Sequence, residues 1–77
     1  PVHFLVIPKA HIASVAGVNE ENSAVVAHIF EVIAKLTKEK GIESYRVVSN
    51  IGEQAGQSVP HLHFHVLAGR DMTWPPG

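Results

Sequence analysis

The sequence contains no cysteine among its 77 residues, which excludes a disulfide framework and a cysteine-ligated zinc site within this chain. A charge excess is also absent, because six Lys/Arg stand against seven Asp/Glu, so we expect no nucleic-acid surface and no acidic-membrane anchor. No apolar run reaches the roughly 20 residues of a membrane span, and we expect a cytoplasmic protein. The chain starts at Pro1 and enters an apolar run at once, which we interpret as a missing N-terminal portion.

One amphipathic helix is predicted after residue 19. Asn19 is a suitable N-cap, and Glu20 and Glu21 would lie in the first turn, where the helix dipole favours negative charge. Gly41 supplies the expected left-handed stop. Apolar residues recur at three- and four-residue steps between these ends, at Val25, Val26, Ile29, Phe30, Ile33 and Leu36.

Three strands are predicted around this helix, over Val2–Ile7, Tyr45–Ile51 and His61–Ala68. A connection that could contain a short helical turn precedes the helix, a polar loop (Gly52–Pro60) precedes the third strand, and an irregular tail follows it. These elements predict a small α+β domain with a thin core.

Histidine is the unusual residue, with three of the six copies inside five positions; the full set is His3, His11, His28, His61, His63 and His65. Because side chains alternate along a strand, His61, His63 and His65 should project from one face, and Leu62, Phe64 and Val66 from the other. Their backbones would stand roughly 6–7 Å apart, so the rings should titrate as a coupled set with at least one neutral ring. A neutral imidazole beside protonatable neighbours is suited to attack on phosphorus.

A zinc site and a purely structural packing are the competing interpretations of this cluster. The structural one is weakened because three histidines alternate with three apolar residues, whereas spacing alone leaves metal and phosphate chemistry nearly level. The loop segment Gly56-Gln57-Ser58-Val59 favours phosphate, since glycine admits backbone N–H donors to an anion and Ser58 adds a hydroxyl. A zinc site would favour carboxylates or thiolates close by, and none flanks the third strand.

The segment His61-Leu62-His63-Phe64-His65-Val66-Leu67 resembles the signature of the histidine-triad (HIT) family, His-φ-His-φ-His-φ-φ with φ apolar, at every position. The resemblance extends over essentially the whole chain, through residues 3–9, 48–52, 56–59 and 69–77. The Trp74-Pro75-Pro76-Gly77 tail resembles the histidine-triad nucleotide-binding (HINT) branch, the purine nucleoside phosphoramidases. Because family members are longer, the resemblance implies that residues 1–77 form a partial HIT domain, with an antiparallel sheet and one long helix, lacking an N-terminal helix and two strands.

The resemblance also implies the site residues. His63 would be the nucleophile that forms a nucleotidyl-histidine intermediate, and His65 would contact the phosphate and assist the leaving group. His61 and His3 would form the supporting hydrogen-bond network. The expected phosphate- and nucleotide-binding residues are Asn50, Gly56, Gln57, Ser58, Val59, His63, His65 and Trp74.

The function implied is hydrolysis of nucleoside 5′-phosphoramidates or related AMP–X compounds, with a purine nucleotide as substrate. Trp74 would reach toward a second subunit's site, so a homodimer is implied. No cofactor or metal is required, although in some bacterial relatives histidines at the positions of His11 and His61 bind zinc with N-terminal cysteines; we favour a surface role for His11. The alternatives are a dinucleoside-polyphosphate hydrolase or nucleotidyl transferase of the same superfamily, a nucleotide-binding regulatory or scaffold protein, and a zinc-binding module.

Overall fold

The computed structural model describes all residues, Pro1–Gly77, and confirms the predicted α+β fold. The regular elements are β1 (Val2–Val6), α1 (Ser23–Glu39), β2 (Arg46–Val48) and β3 (Phe64–Ala68). Single turns of 3₁₀ helix occupy Val15–Gly17 and Glu53–Ala55. The strands form one antiparallel sheet in the order β1-β3-β2, so β3 is its central strand.

All three strands are shorter than the sequence predicts. Pairing between β1 and β3 stops at Val6 and Phe64, just before Pro8, which has no N–H to continue the ladder. The backbone N–H of Leu62 instead donates to the carbonyl of Ile12, in the segment that leads to α1, at 2.6 Å. Residues 61–63 are therefore not part of the paired strand, although their side chains still alternate in burial.

The start of α1 differs from the predicted one. Helix α1 begins at Ser23, with Asn22 as its N-cap residue, and has no acidic residue in its first turn. Asn19 closes a separate turn instead, because its side-chain oxygen accepts hydrogen bonds from the backbone N–H groups of Glu21 and Asn22, at 2.9 and 3.2 Å. The acidic pair at positions 20–21 thus lies before the helix and not inside its first turn.

The end of α1 is the predicted one. Gly41 has a φ of +70°, which is the left-handed conformation that glycine adopts without strain. Its N–H donates to the carbonyl of Lys38, and the N–H of Ile42 donates to that of Thr37. These two bonds form a Schellman motif, so the glycine closes the helix by satisfying its last carbonyls.

The core lies between α1 and one face of the sheet, and it consists of Val6, Ile12, Ile29, Ile33, Leu62, Phe64 and Val66. Two helix residues differ from expectation. The spacing placed Phe30 on the apolar face, but its side chain is 47% exposed. Its ring lies edge-on to that of Phe64, with 5.3 Å between the centroids. Thr37 is buried because its hydroxyl donates to the carbonyls of Ile33 and Ala34, one turn back along the helix.

The opposite face of the sheet has no helix upon it. Leu5 and Ile7 of the β1 segment are about half exposed there, at 49% and 54%, beside the half-buried histidines 61, 63 and 65. This open face is the one that the alternation of the sequence predicts for the histidines. No helix of the structure has the length and the apolar content that a membrane crossing requires.

Candidate active site

The three histidines of the signature line one cleft on the open face of the sheet. The cleft has a volume of about 480 Å³, which is within the range of small-molecule sites. The other lining residues are Leu5 and Ile7, which are apolar, and Ser58 and Val59 of the polar loop. A larger cleft, of about 620 Å³, lies between β1 and α1 and is lined mainly by apolar residues. The three histidines therefore lie together in the smaller cleft, as the prediction that the three rings share one face requires.

His63 is held in a single orientation by its own backbone neighbourhood. Its Nδ1 lies 2.7 Å from the carbonyl oxygen of His61. Because a carbonyl oxygen can only accept, Nδ1 carries the proton and donates it. In the neutral ring the lone pair is then on Nε2, which is the nitrogen that a nucleophilic attack requires.

His65 and His3 form a hydrogen-bonded pair beside this ring. Nε2 of His3 and Nδ1 of His65 are 2.8 Å apart, so one ring donates and the other accepts. The ring of His65 also lies 5.0 Å from that of His63, centroid to centroid. Burial, followed by the positive charges of His63 and His3, lowers the pKa of His65 below its ordinary value of 6.5. A proton placed on this ring is therefore released readily near neutral pH.

His61 lies at the other end of the histidine row and faces a different neighbourhood. Its Nε2 is 3.1 Å from the carbonyl oxygen of Pro8, to which it must donate. Its ring lies edge-on to that of the exposed His11, with the centroids 5.6 Å apart. The hydrogen bond fixes the orientation of His61 beside Pro8, so its ring has a defined position in the wall of the cleft.

The polar loop meets the cleft through two of its predicted residues. Ser58 and Val59 line the cleft and are exposed. Gly56 adopts a φ of +99°, and a Cβ at this glycine would meet the side-chain amide of Asn50 at 3.5 Å. Asn50 thus packs behind the glycine, and neither residue lines the cleft wall. The side chain of Gln57 is directed into the loop and not into the cleft, and it bonds to three backbone groups.

Trp74 lies outside the cleft, on the tail that follows β3, and is 82% exposed. The tail is attached to the sheet by Arg46, whose guanidinium donates to the carbonyl of Thr73 at 3.0 Å. Within one chain, Trp74 therefore contributes nothing to the cleft, although its anchoring residue is part of β2.

Ser49 lies in the segment 48–52, which resembles a phosphate-contacting segment of the family, but it was given no role of its own. Its hydroxyl donates to the carbonyl oxygen of His63 at 2.7 Å, just beyond the point where pairing between β2 and β3 ends. Serine is common at strand ends, so its presence at position 49 gave no sign of a contact with the histidine segment. Only the folded sheet brings it against the histidine backbone.

Comparison with known proteins agrees with this geometry. Residues 1–74 match the family model described as the scavenger mRNA decapping enzyme C-terminal binding domain. An uncharacterized HIT-like protein of Synechococcus elongatus is 44% identical over 78 aligned residues, which cover 100% of this chain and 68% of that protein. This relative is similar along the whole chain and extends beyond it.

Solved structures show the same fold. A HIT family hydrolase from Legionella pneumophila superposes with a TM-score of 0.94 at 46% identity, over 100% of this chain and 70% of its own. A HIT family hydrolase from Clostridium thermocellum gives a TM-score of 0.90 at 45% identity, over 95% of this chain and 65% of its own. Since the matches span the histidine row, the loop and the helix alike, this chain belongs to the histidine-triad family and has its hydrolase fold.

Proposed function

We propose that the protein hydrolyses nucleoside 5′-phosphoramidates or related AMP–X compounds through a nucleotidyl intermediate on His63. The observation that carries the proposal is the bond from Nδ1 of His63 to the carbonyl of His61, which leaves the lone pair on Nε2 of a ring that lines the cleft. The bound substrate would be a purine nucleotide, with its α-phosphate between His63 and the loop that carries Ser58 and Val59.

The first step forms a bond between Nε2 of His63 and the α-phosphorus and breaks the bond from phosphorus to the leaving nitrogen. In the scheme, the hydrogen-bonded pair of His65 and His3 starts with one proton more than its two neutral rings hold, and that proton passes to the departing amine, which leaves both rings neutral. The lowered pKa of His65 favours this transfer, because a weakly held proton is delivered more easily.

In the second step water attacks the phosphorus, and the bond between phosphorus and Nε2 breaks to release AMP. The proton lost by the water returns to the His65 and His3 pair, so the site is restored. Negative charge on the phosphoryl oxygens would be stabilised by the Ser58 hydroxyl and by N–H groups of the glycine-bearing loop, with Asn50 and Gly56 shaping that loop. No cofactor takes part in this scheme.

The intact assembly is proposed to be a homodimer in which Trp74 contacts the second subunit. The exposed position of this tryptophan, on a tail anchored through Arg46, supports the proposal. Light scattering after gel filtration would measure the mass, and a monomer at assay concentrations would contradict it.

Single-turnover assays with radiolabelled adenosine 5′-phosphoramidate test the mechanism. Wild-type protein should accumulate an acid-labile, base-stable nucleotidyl adduct, and His63→Ala should lose both turnover and adduct. His28→Ala is the matched control, since this histidine is exposed on α1 and makes no contact with the cleft. Retention of full activity in His63→Ala would refute the nucleophile assignment.

A second candidate, cleavage of a P–O–P bond in a dinucleoside polyphosphate, is favoured by the match to a family model named for a decapping enzyme. Nε2 of His63 would again attack, and the leaving group would be a nucleotide that departs through its phosphate oxygen. Comparing kcat/KM for adenosine 5′-phosphoramidate and for diadenosine polyphosphates on one preparation separates the two. We expect the phosphoramidate to be the better substrate.

A further inference from the structure

Gln57 makes more side-chain hydrogen bonds to backbone than any other residue of the polar loop. Its Oε1 accepts from the N–H of Gly52 at 3.0 Å. Its Nε2 donates to the carbonyl of Ala13 at 2.7 Å and to that of Val59 at 3.1 Å. Both N–H donors of the amide are used, and its oxygen is engaged as well. The side chain therefore has no donor left to offer a phosphate.

These bonds connect three separate stretches of chain. Gly52 is the first residue of the loop, Val59 lies next to its last residue, and Ala13 belongs to the segment between β1 and α1. Gln57 is half-buried, whereas its loop neighbours from Ile51 to Pro60 are exposed. The amide thus attaches an otherwise solvent-exposed loop to the rest of the domain, and we call its three hydrogen bonds, to Gly52, Ala13 and Val59, the Gln57 bracket.

Ser58 lies between Gln57 and Val59, two residues that the Gln57 bracket connects. The residue before it carries the amide, and the carbonyl of the residue after it, Val59, accepts from the same amide. The backbone N–H of Gln57 also donates to the carbonyl of Gly52, at 3.0 Å. The position of the Ser58 hydroxyl at the cleft therefore depends on bonds that Gln57 makes away from the cleft.

We infer that Gln57 is a positioning residue, which sets the shape of the anion-binding loop through Ser58 and does not itself contact the phosphate. This inference rests on the proposed function, because it gives the loop the task of holding the substrate's α-phosphate. It replaces the direct contact that the sequence implied for Gln57 with an indirect one. Donors that are fixed in advance bind the phosphate anion without reorganisation, and the hydrogen bonds of Gln57 fix them in this way.

Nuclear magnetic resonance on ¹⁵N-labelled wild-type protein distinguishes the two roles without any substitution. On titration with AMP, the side-chain N–H₂ of Gln57 should keep its nuclear Overhauser contacts to Ala13 and Val59, while the backbone signal of Ser58 shifts. Loss of the Ala13 contact on AMP binding, together with a new contact to the nucleotide, would overturn the inference.

Gln57→Glu tests the consequence for turnover. The carboxylate still accepts from Gly52, but it faces the carbonyls of Ala13 and Val59 with no proton to donate. We expect kcat/KM to fall by about tenfold or more, since two donated bonds are lost, and chiefly through KM, because the loop holds the phosphate in substrate and transition state alike. Gln54→Glu, which adds the same charge to the same loop at an exposed residue, should leave kcat/KM unchanged.

The outcomes separate the two proposals. An inactive wild-type protein would refute the proposed function, and the inference with it. An active wild-type protein whose Gln57→Glu variant matches Gln54→Glu would refute the inference alone. If Gln57→Glu does not fold, the titration of the wild-type amide decides between the bracket and the direct contact.

Discussion

The hydroxyl of Ser49 offers the most direct test of how the sheet holds His63, the proposed nucleophile. It donates to the carbonyl oxygen of His63 at 2.7 Å, in a partly buried position. The informative comparison is Ser49→Thr with Ser49→Val. These two side chains have nearly the same shape, and only threonine has a hydroxyl, so any strain from the added methyl group cancels between them.

The magnitude follows from the surroundings of the bond. A satisfied hydrogen bond contributes about 0.5–1.5 kcal/mol, and a buried carbonyl left without a partner costs about 1–3 kcal/mol. Since the carbonyl of His63 is only partly buried, we expect Ser49→Val to be less stable than Ser49→Thr by about 1–2 kcal/mol. For a domain of this size that difference corresponds to roughly 5–15 °C in Tm.

Thermal unfolding followed by circular dichroism measures this difference, and single-turnover kinetics shows whether it reaches the site. Because Ser49 holds the backbone of the proposed nucleophile, adduct formation should slow in Ser49→Val at a temperature where both variants are folded. Ser44→Ala is the control, since this serine is exposed and lies before β2. Equal Tm values and equal adduct rates for the threonine and valine variants would show that the hydroxyl does not position His63.

Three further results are expected. The free energy of unfolding should fall as the pH drops below about 6.5. The unfolded chain then binds a proton at His65, whereas the folded chain does not, because the pKa of the folded ring is lowered. Urea titrations at several pH values should show this slope, and His65→Gln should flatten it. Gly41→Ala should cost about 1 kcal/mol of unfolding free energy, because the φ of +70° strains any residue with a Cβ although no atom lies within 4 Å of it. Ile33→Ala should cost about 2–5 kcal/mol, because a side chain only 2% exposed leaves a cavity, whereas Lys35→Ala should change urea stability little.

The features that the sequence predicted correctly depend on local signals. Gly41 ends the helix because no other residue type suits a positive φ so well, and this holds whatever surrounds it. The two-residue period from His61 to Val66 separates buried from half-buried side chains over the whole stretch, even where pairing has ceased. Both signals act within a few residues, so tertiary packing does not change them.

The features that the sequence could not supply depend on contacts between distant residues or on competition between similar ones. Asn19 and Asn22 are both good capping residue types three positions apart. The helix begins after Asn22, whose side chain makes no capping bond and instead donates to the carbonyl of Gly17. The bond from Gln57 to Ala13 spans 44 positions of the sequence. Such bonds depend on where the loop packs, which no local pattern encodes.

The early end of the central strand contributes to the chemistry that the site can perform. Had the β1–β3 ladder continued past Phe64, residues 61–63 would be held by strand pairing. Because Pro8 stops the ladder, the carbonyl of His61 is free to accept the proton of Nδ1 of His63, and that of Pro8 accepts from His61 in turn. The same interruption that shortens the strand therefore selects the tautomer of the central imidazole. Pro8, two residues after β1, thus links the extent of the sheet to the tautomer of His63.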